Sequence, residues 1–291
     1  PAPAEGDPPA GFQPDPTPAE LDAFFAAADP RPPAAPLLGN ATTRILYDLD
    51  CWARDGRPAT AVTLARETHV NPPPPGVLKI QLRFSYSDGF GREAQKKLQA
   101  EPGPTPRRDA EGQIVVGADG QPEMTAADTD PRWVGSGWTI FNNKGKPVRQ
   151  YEPFFSDSQA FEFGVRVGVS PILFYDPPGR VVATVHPDHS WQKVVFDPWQ
   201  QTTYDGNDTV TLDPAADGDV GGFFARLPET AYQPTWHALR TDPAHAAALA
   251  ARYPDATLRA AETAAAHKAA AHAGTPITAH FDALGRPCLT L

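Results

Sequence analysis

Methionine and cysteine are nearly absent, basic residues are in the minority, and no long apolar run occurs. The chain has one Met, Met124, and two Cys, Cys51 and Cys288, among 291 residues. Two thiols so far apart make no disulfide framework, so both are expected in the reduced state. No stretch of 18 apolar residues exists, so no transmembrane helix and no membrane contact by this segment are expected. The N-terminus lacks a basic-then-apolar signal pattern. The 25 basic residues are outnumbered by 35 acidic ones, for a net charge of −10. An acidic chain is a poor binder of phosphate backbones, so nucleic acid is not expected as a partner. With its only Met internal, the chain reads as an excerpt from a longer polypeptide, its targeting information lying elsewhere.

Proline, by contrast, is abundant: 35 residues, about 12% of the chain, against a usual share of about 5%. Long helices are confined to Pro-free tracts, such as residues 255–275. The most informative pattern recurs four times: an Asp or Asn stands three residues before a Gly, followed at once by Arg or Lys. The segments are Tyr86-Ser-Asp88-Gly-Phe-Gly91-Arg92, Phe141-Asn142-Asn-Lys-Gly145-Lys146, Phe174-Tyr175-Asp176-Pro-Pro-Gly179-Arg180 and Phe281-Asp282-Ala-Leu-Gly285-Arg286. Asp or Asn suits the first position of a type I turn, where its side chain caps the backbone, and Gly suits the fourth, where φ is positive. Each unit therefore reads as strand, tight turn, strand. The intervals between Asp88, Asn142, Asp176, a degenerate Asp197-Pro-Trp-Gln turn and Asp282 are 54, 34, 21 and 85 residues. The shortest suggests a unit of about 20 residues, lengthened elsewhere by insertions.

The flanking sequence completes a mainly β reading. Residues 1–16 look like a Pro-rich linker. Thr17, Pro18 and Glu20 form a capping box that opens a short helix with Leu21, Phe24 and Phe25 on its apolar face, ended by Pro30, Pro32 and Pro33. Residues 43–49 and 61–70 have strand composition, and Pro72–Pro75 forces an exposed connection. Residues 78–86 alternate apolar with polar and form the clearest half-buried strand. Residues 92–100 are taken as its return strand despite intrinsic helix preference. Residues 101–131 read as a long polar excursion, and residues 133–141, 147–151, 165–175, 180–186, 191–196 and 201–204 as strands. Asp242-Pro243 and Asp255 cap two helices, the second stopped by Gly274. The resulting division is 1–43 linker and short helix, 44–235 hairpin sheet, 236–274 helical insertion and 275–291 the next hairpin.

The aromatic–Asp–x–x–Gly–Arg pattern resembles the YD repeat of Rhs proteins. The longer segments at residues 65–70, 85–97, 137–155, 194–199 and 234–240 resemble the B component of bacterial Tc insecticidal toxin complexes, over roughly residues 37–291. The resemblance implies that the chain is a stretch of a secreted hollow shell, wound from antiparallel β-hairpins. Its partners would be a C component with its enclosed cytotoxic effector and, through the rest of the B chain, a pore-forming A component. The self-cleaving aspartyl site of that family lies in the C component, and no segment here matches it.

No catalytic constellation, metal site or cofactor is expected. His186 and His189, or His267 and His272, join no ligand set at known spacing. Asp205-Gly-Asn-Asp208 and residues 213–219 fail the calcium-loop pattern and are better explained as turns. Glu152 and Asp157 are two carboxylates in an acid-rich chain, and Gly135-Ser-Gly137 lacks the esterase spacing. The sequons at Asn40 and Asn207 are coincidental in a chain resembling bacterial proteins. The aromatics Tyr86, Phe141, Tyr175 and Phe281 are expected to pack across strands rather than form a ligand-stacking ladder. Two other functions compete with the shell: a YD-repeat surface adhesin that binds glycans through an exposed sheet face, and an enzyme.

Overall fold

The computed structural model describes residues 12–69, 79–117 and 121–291; the Pro72–Pro75 run lies outside them. The chain divides into two compact units, residues 1–139 with 151–168, and 140–150 with 169–291.

The first unit opens with helix α1 (Pro18–Ala26), whose capping box is complete. Glu20 N–H donates to Thr17 Oγ1 at 3.3 Å, and Thr17 N–H donates back to Glu20 Oε2 at 2.8 Å. A second helix, α2 (Arg31–Leu38), follows in the segment read as a helix terminator. Its Pro32 and Pro33 stand in the first turn, where backbone N–H groups have no intrahelical acceptor, so they cost little there. Asp29 accepts the Arg31 N–H at 3.0 Å and grips its guanidinium. Strand β1 (Thr43–Asp48), the short helix α3 (Cys51–Asp55), β2 (Ala59–Arg66), β3 (Ile80–Ser87), β4 (Glu93–Ala100) and β5 (Arg132–Gly135) come next. The chain then forms the hairpin β6 (Thr139–Phe141) and β7 (Pro147–Gln150), and returns as β8 (Phe154–Ser156). The first sheet is antiparallel in the order β1-β2-β3-β4-β5-β8.

Register sorts this sheet into two faces. One row runs Leu46, Val62, Phe84, Lys97, Gly135, Phe154 across all six strands. Its Leu46, Val62 and Phe84 join Phe24 and Leu38 of the two helices and Leu64, Leu82 and Trp133 of the sheet in one buried cluster. Phe24 stacks on Phe84 with centroids 6.3 Å apart, and Trp133 meets Phe84 edge-on at 5.4 Å. Buried Arg44 donates to the carbonyl of Leu37 at 2.5 Å, placing a cation at the C-terminus of α2. Strand β4 shows tertiary context overriding propensity: its two ladders and inward Gln95 and Lys97 defeat the helical preference of its sequence.

Several expected strands are shorter than read; the one over residues 61–70 ends at Arg66. Residues 133–141 split after Gly135, where the chain changes partners: Trp138 N–H reaches Val165 O at 3.3 Å and Tyr151 N–H reaches Trp138 O at 3.0 Å. Of residues 165–175 only Ile172–Tyr175 is strand, because Gly164 and Gly168 take φ of 70° and 69°. The excursion over residues 101–131 is not a plain loop. It folds back on itself through the antiparallel bridges Gly103–Thr129, Pro106–Met124, Arg108–Ile114 and Val116–Pro122.

The second unit holds β9 (Ile172–Tyr175), β10 (Val181–Val185), β11 (Trp191–Phe196) and β12 (Gln200–Tyr204), then a helical insertion, then β13 (Ile277–Phe281) and β14 (Pro287–Thr290). Its sheet runs antiparallel in chain order, β9 to β14. The insertion is larger than read. Besides α5 (Trp236–Thr241), α6 (Ala246–Arg252) and α7 (Ala256–Ala270), it contains a short helix α4 (Gly221–Phe224). Phe224 and Val220 from that part pack on Ile172, Val185 and Trp191. Asp208 clasps the base of the insertion. Its carboxylate accepts the N–H of Asp205 at 2.8 Å and of Thr275 at 3.0 Å, and its carbonyl accepts from Gly274 at 3.1 Å.

Gly137 is a position of close backbone approach. A Cβ there would lie 1.9 Å from Tyr151 O and 2.5 Å from Glu152 O. We expect Gly137→Ala to destabilise the protein by about 1–3 kcal/mol through forced backbone displacement. A denaturation midpoint equal to that of the parent would contradict this packing.

Candidate functional site

The four repeated units each join two antiparallel strands: residues 88–91 link β3 to β4, 142–145 link β6 to β7, 176–179 link β9 to β10, and 282–285 link β13 to β14. All four close the same way. The Gly N–H donates to the carbonyl of the leading Asp or Asn at 3.1, 2.9, 3.0 and 2.9 Å, and the leading N–H donates to the carbonyl of the residue after Gly at 2.9, 2.9, 3.0 and 3.0 Å. Gly91, Gly145, Gly179 and Gly285 have φ of 75°, 72°, 92° and 72°, which is a type I turn followed by a left-handed bulge.

The leading carboxylate is used twice. Asp88 Oδ1 accepts the N–H of Phe90 at 2.8 Å and of Arg92 at 3.0 Å, while its Oδ2 accepts Arg92 Nε–H at 2.7 Å. Asp282 repeats this with Leu284 and Arg286, the Arg286 Nε lying 2.8 Å from Oδ2. Asp176 does the same with Arg180 but makes no bond at the third position, because Pro178 has no N–H. Pro178 therefore removes one cap bond and leaves the turn closure unchanged. Asn142 accepts the N–H of Lys144 and Lys146, both at 3.0 Å, and has no charge to offer Lys146.

Further turns of the same kind escaped sequence reasoning. Asp109 Oδ1 accepts from Glu111 and Gln113, with Gly112 at φ 79°; an Asp-x-x-Gly signal was present there, without the aromatic and the Arg. His186–Ser190 closes in the same way, with His189 in the glycine position at φ 64° and its Nδ1 2.9 Å from Pro234 O. The degenerate turn read at Asp197 is a loop one residue shorter, the Asp197 carboxylate accepting from Trp199 and Gln200.

Hydrogen bonds hold the turn carboxyls of Asp88, Asp176 and Asp282 below the usual range. At Asp88 and Asp176 partial burial pushes the other way and is outweighed by the backbone and guanidinium donors; at Asp282 the Arg286 guanidinium leads.

Two buried lysines, Lys97 and Lys193, were missed by sequence reasoning. Lys97, fully buried, donates to Ser156 Oγ at 2.9 Å and Ser158 O at 2.7 Å and pairs closely with Glu162, which also holds Arg108. Burial pushes the Lys97 ammonium down, and Glu162 offsets only part of that. In the second unit Lys193 donates to Asp217 Oδ2 at 2.7 Å and Asp219 Oδ2 at 2.6 Å; burial there is outweighed by the two carboxylates, so its pKa is raised. The signal was a Lys at an inward alternating position, as in Trp191-Gln-Lys193. Each lysine ties an irregular covering segment to its sheet.

The remaining candidates are placed in local roles. Asp205 caps Asn207 and Asp208, Asp213 caps Ala215, and Asp217 caps Asp219 and Val220. Gly135 faces the Phe154 ring, and Ser136 Oγ accepts the Lys96 N–H at 3.0 Å. Among the described residues no group of three His, Cys, Asp or Glu could hold a metal ion, and no helix is long and apolar enough to cross a membrane. Tyr86 is buried and donates to the Gln159 carbonyl, and Tyr175 donates to Pro147 O at 2.7 Å.

Three outcomes test this geometry. Space is open around Gly91, so Gly91→Val should cost only its left-handed strain, about 1–2 kcal/mol, and Asp88→Asn should be milder; reversal of that order in urea titrations would refute the backbone account. Because the folded pKa values of Asp88, Asp176 and Asp282 lie below the reference 3.8, their stabilisation is complete above that value and lost as pH falls through the folded pKa. The melting temperature should therefore drop in acid less steeply when all three are replaced by Asn. Lys97→Ala should cost about 3–5 kcal/mol by leaving buried acceptors unpaired, and Lys97→Met less, since it keeps the packed stem; equal stability of all three proteins would remove the lysine tie.

No protein-family model and no curated protein matches the chain. Solved structures do. The crystal structure of TcdB2-TccC3 matches over 70% of this chain and 9% of its own, at 24% identity and a TM-score of 0.52. TcdB2-TccC3-Cdc42 matches over 80% and 8%, at 19% identity and TM-score 0.50, and the Photorhabdus luminescens Tc holotoxin pore over the same shares, at 20% and 0.50. The chain thus spans less than a tenth of the length of each. The fold is mainly β: antiparallel hairpin sheets of the Tc toxin kind, with a few short helices.

Proposed function

We propose that the chain is a wall segment of a secreted, Tc-type toxin shell that, with a C component, encloses and protects a cytotoxic effector before delivery by a pore-forming A component. The observation that carries this reading is the hairpin series itself, six strands in chain order in the second sheet. Its turns at Asp176, Asp197 and Asp282 are satisfied locally, so the sheet can be lengthened strand by strand. The likeness to structures of TcdB2-TccC3 and of a Tc holotoxin supports it. The polar groups inside the fold serve structure, and we assign the segment no catalytic role. Unpaired strand edges seek partners.

The chain should therefore oligomerise when purified alone and co-purify with a Tc-type C component when the two are expressed together, protecting the effector from protease. Gly91→Val should weaken that protection while Asp88→Asn preserves it. A monodisperse monomer that ignores the C component would point instead to a self-contained binding module.

A further inference from the structure

Two irregular segments of the first unit meet at a cavity of about 480 Å³. Ile114 and Val116 line it from the excursion, and Val165, Arg166 and Val167 from the segment that follows β8. Both segments lie in the interior of the sequence.

The backbone there is only half used. The Val165 carbonyl accepts the Trp138 N–H at 3.3 Å, and the Val167 carbonyl accepts the Glu152 N–H at 3.2 Å. Successive residues of an extended chain point their backbone polar groups in opposite directions, so Arg166 turns its N–H and carbonyl away from those partners. Among the described residues nothing bonds to them, nor to the N–H and carbonyl of Ile114 or Val116. Gly164 and Gly168, with φ of 70° and 69°, bend the chain on either side and confine the open edge to a few residues. The cavity is thus bordered by two short backbone edges with donors and acceptors to spare.

Its charges are uneven. Glu162 is gripped by both Lys97 and Arg108. Arg166 has no ion-pair partner among the described residues, in a chain whose 35 acidic residues outnumber 25 basic ones. Glu152 brings a second carboxylate to Gly168, where a Cβ would lie 1.9 Å from its Oε2. The cavity therefore offers a cationic stretch at Arg108 and Arg166 and an anionic one at Gly168.

We propose that this cavity is a slot for a partner peptide that binds as an added β-strand and carries an acidic residue between two apolar, β-branched ones. The strand pairs through its backbone with Arg166. Its Asp or Glu stands directly opposite Arg166, where paired side chains share one face of the ladder. Its apolar neighbours fall on the other face, with Val165 and Val167. Main-chain bonds supply the affinity and the acidic side chain the selectivity. The inference goes beyond the wall-segment reading and stands without it.

The probe is a capped, fluorescein-labelled peptide of sequence Thr-Val-Glu-Val-Thr, and its binding to the whole chain is followed by fluorescence anisotropy. A photoreactive version, read by mass spectrometry, should crosslink within residues 108–117 or 161–168. Replacing the peptide's Glu by Gln, or Arg166→Gln in the protein, should each weaken binding roughly three- to tenfold. Combined, they should cost no more than either alone, because they remove one shared contact. Methylating the backbone nitrogen of the peptide's Glu keeps its charge and removes a ladder donor, and should weaken binding at least as much. Arg166 is exposed, so Arg166→Gln should melt with the parent protein, which keeps its loss of binding from being a loss of fold. No saturable binding, crosslinks elsewhere, or equal binding of the Gln peptide overturns the proposal. Equal binding of the N-methylated peptide, or displacement by acetate at matched concentration, also overturns it, by reducing the slot to a carboxylate site without strand pairing.

Discussion

The structure depends on a single carboxylate serving two masters. A hairpin closed by a type I turn and a left-handed bulge leaves backbone N–H groups at the third and fifth positions facing inward without a carbonyl acceptor. One oxygen of Asp88 or Asp282 accepts both, and the other fixes the guanidinium that follows. These groups are largely exposed, so each ion pair adds little stability by itself. What the clamp supplies is position. It presents Arg180 to the ring of Phe196 on the neighbouring strand, so closure of one turn sets the register of the next hairpin. Asn142 shows which half matters to the turn and which to the neighbour: the cap bonds persist, while the amide offers Lys146 no anion.

Inside the sheets a different demand is met. The segments covering the core are partly irregular, and their carbonyls and hydroxyls need donors that a purely apolar sheet face cannot give. Lys97 supplies three donors from a position flanked in register by Phe84 and Gly135. Lys193, standing 4.7 Å from the Tyr204 ring centroid, supplies them to the Asp217 turn. Both expose almost nothing, so they act as ties whose desolvation is offset only while every partner is present.

The turns, most strands and the capped helices were legible because their causes are local. Thr17 and Glu20 cap each other, Gly91 and Gly285 need positive φ, and Asp255 accepts the Leu258 N–H at 2.8 Å. What stayed hidden was set at a distance. Helix α2 looked like a stop because its prolines, read singly, argue against helix; Pro32 and Pro33 are tolerable in the first turn, and the helix also carries Pro36 in its interior. Residues 165–171 have strand composition and no strand, since Gly168 bends away beneath the Glu152 carboxylate. His189 in a glycine position could not be read, because what holds it there is Pro234, 45 residues on. The lysine ties were visible only as alternation, and their anions come from segments that carry no pattern.

Local closure also explains how uneven repeats share one sheet. Between β12 and β13 the chain makes a helical excursion, yet Thr202 still faces Thr278, with hydroxyls 3.2 Å apart. The cost of closing a loop grows only logarithmically with its length, so a long insertion is cheap provided its two ends are fixed together. Asp208 does that by binding the strand exit at Asp205 and the re-entry at Thr275 with one carboxylate. A short connection needs no such clasp, and β11 to β12 manages with Asp197 and a loop one residue shorter. The sheet is therefore indifferent to what lies between its strands and sensitive to the few side chains that hold each crossing, which is the property a wall built from irregular repeats requires.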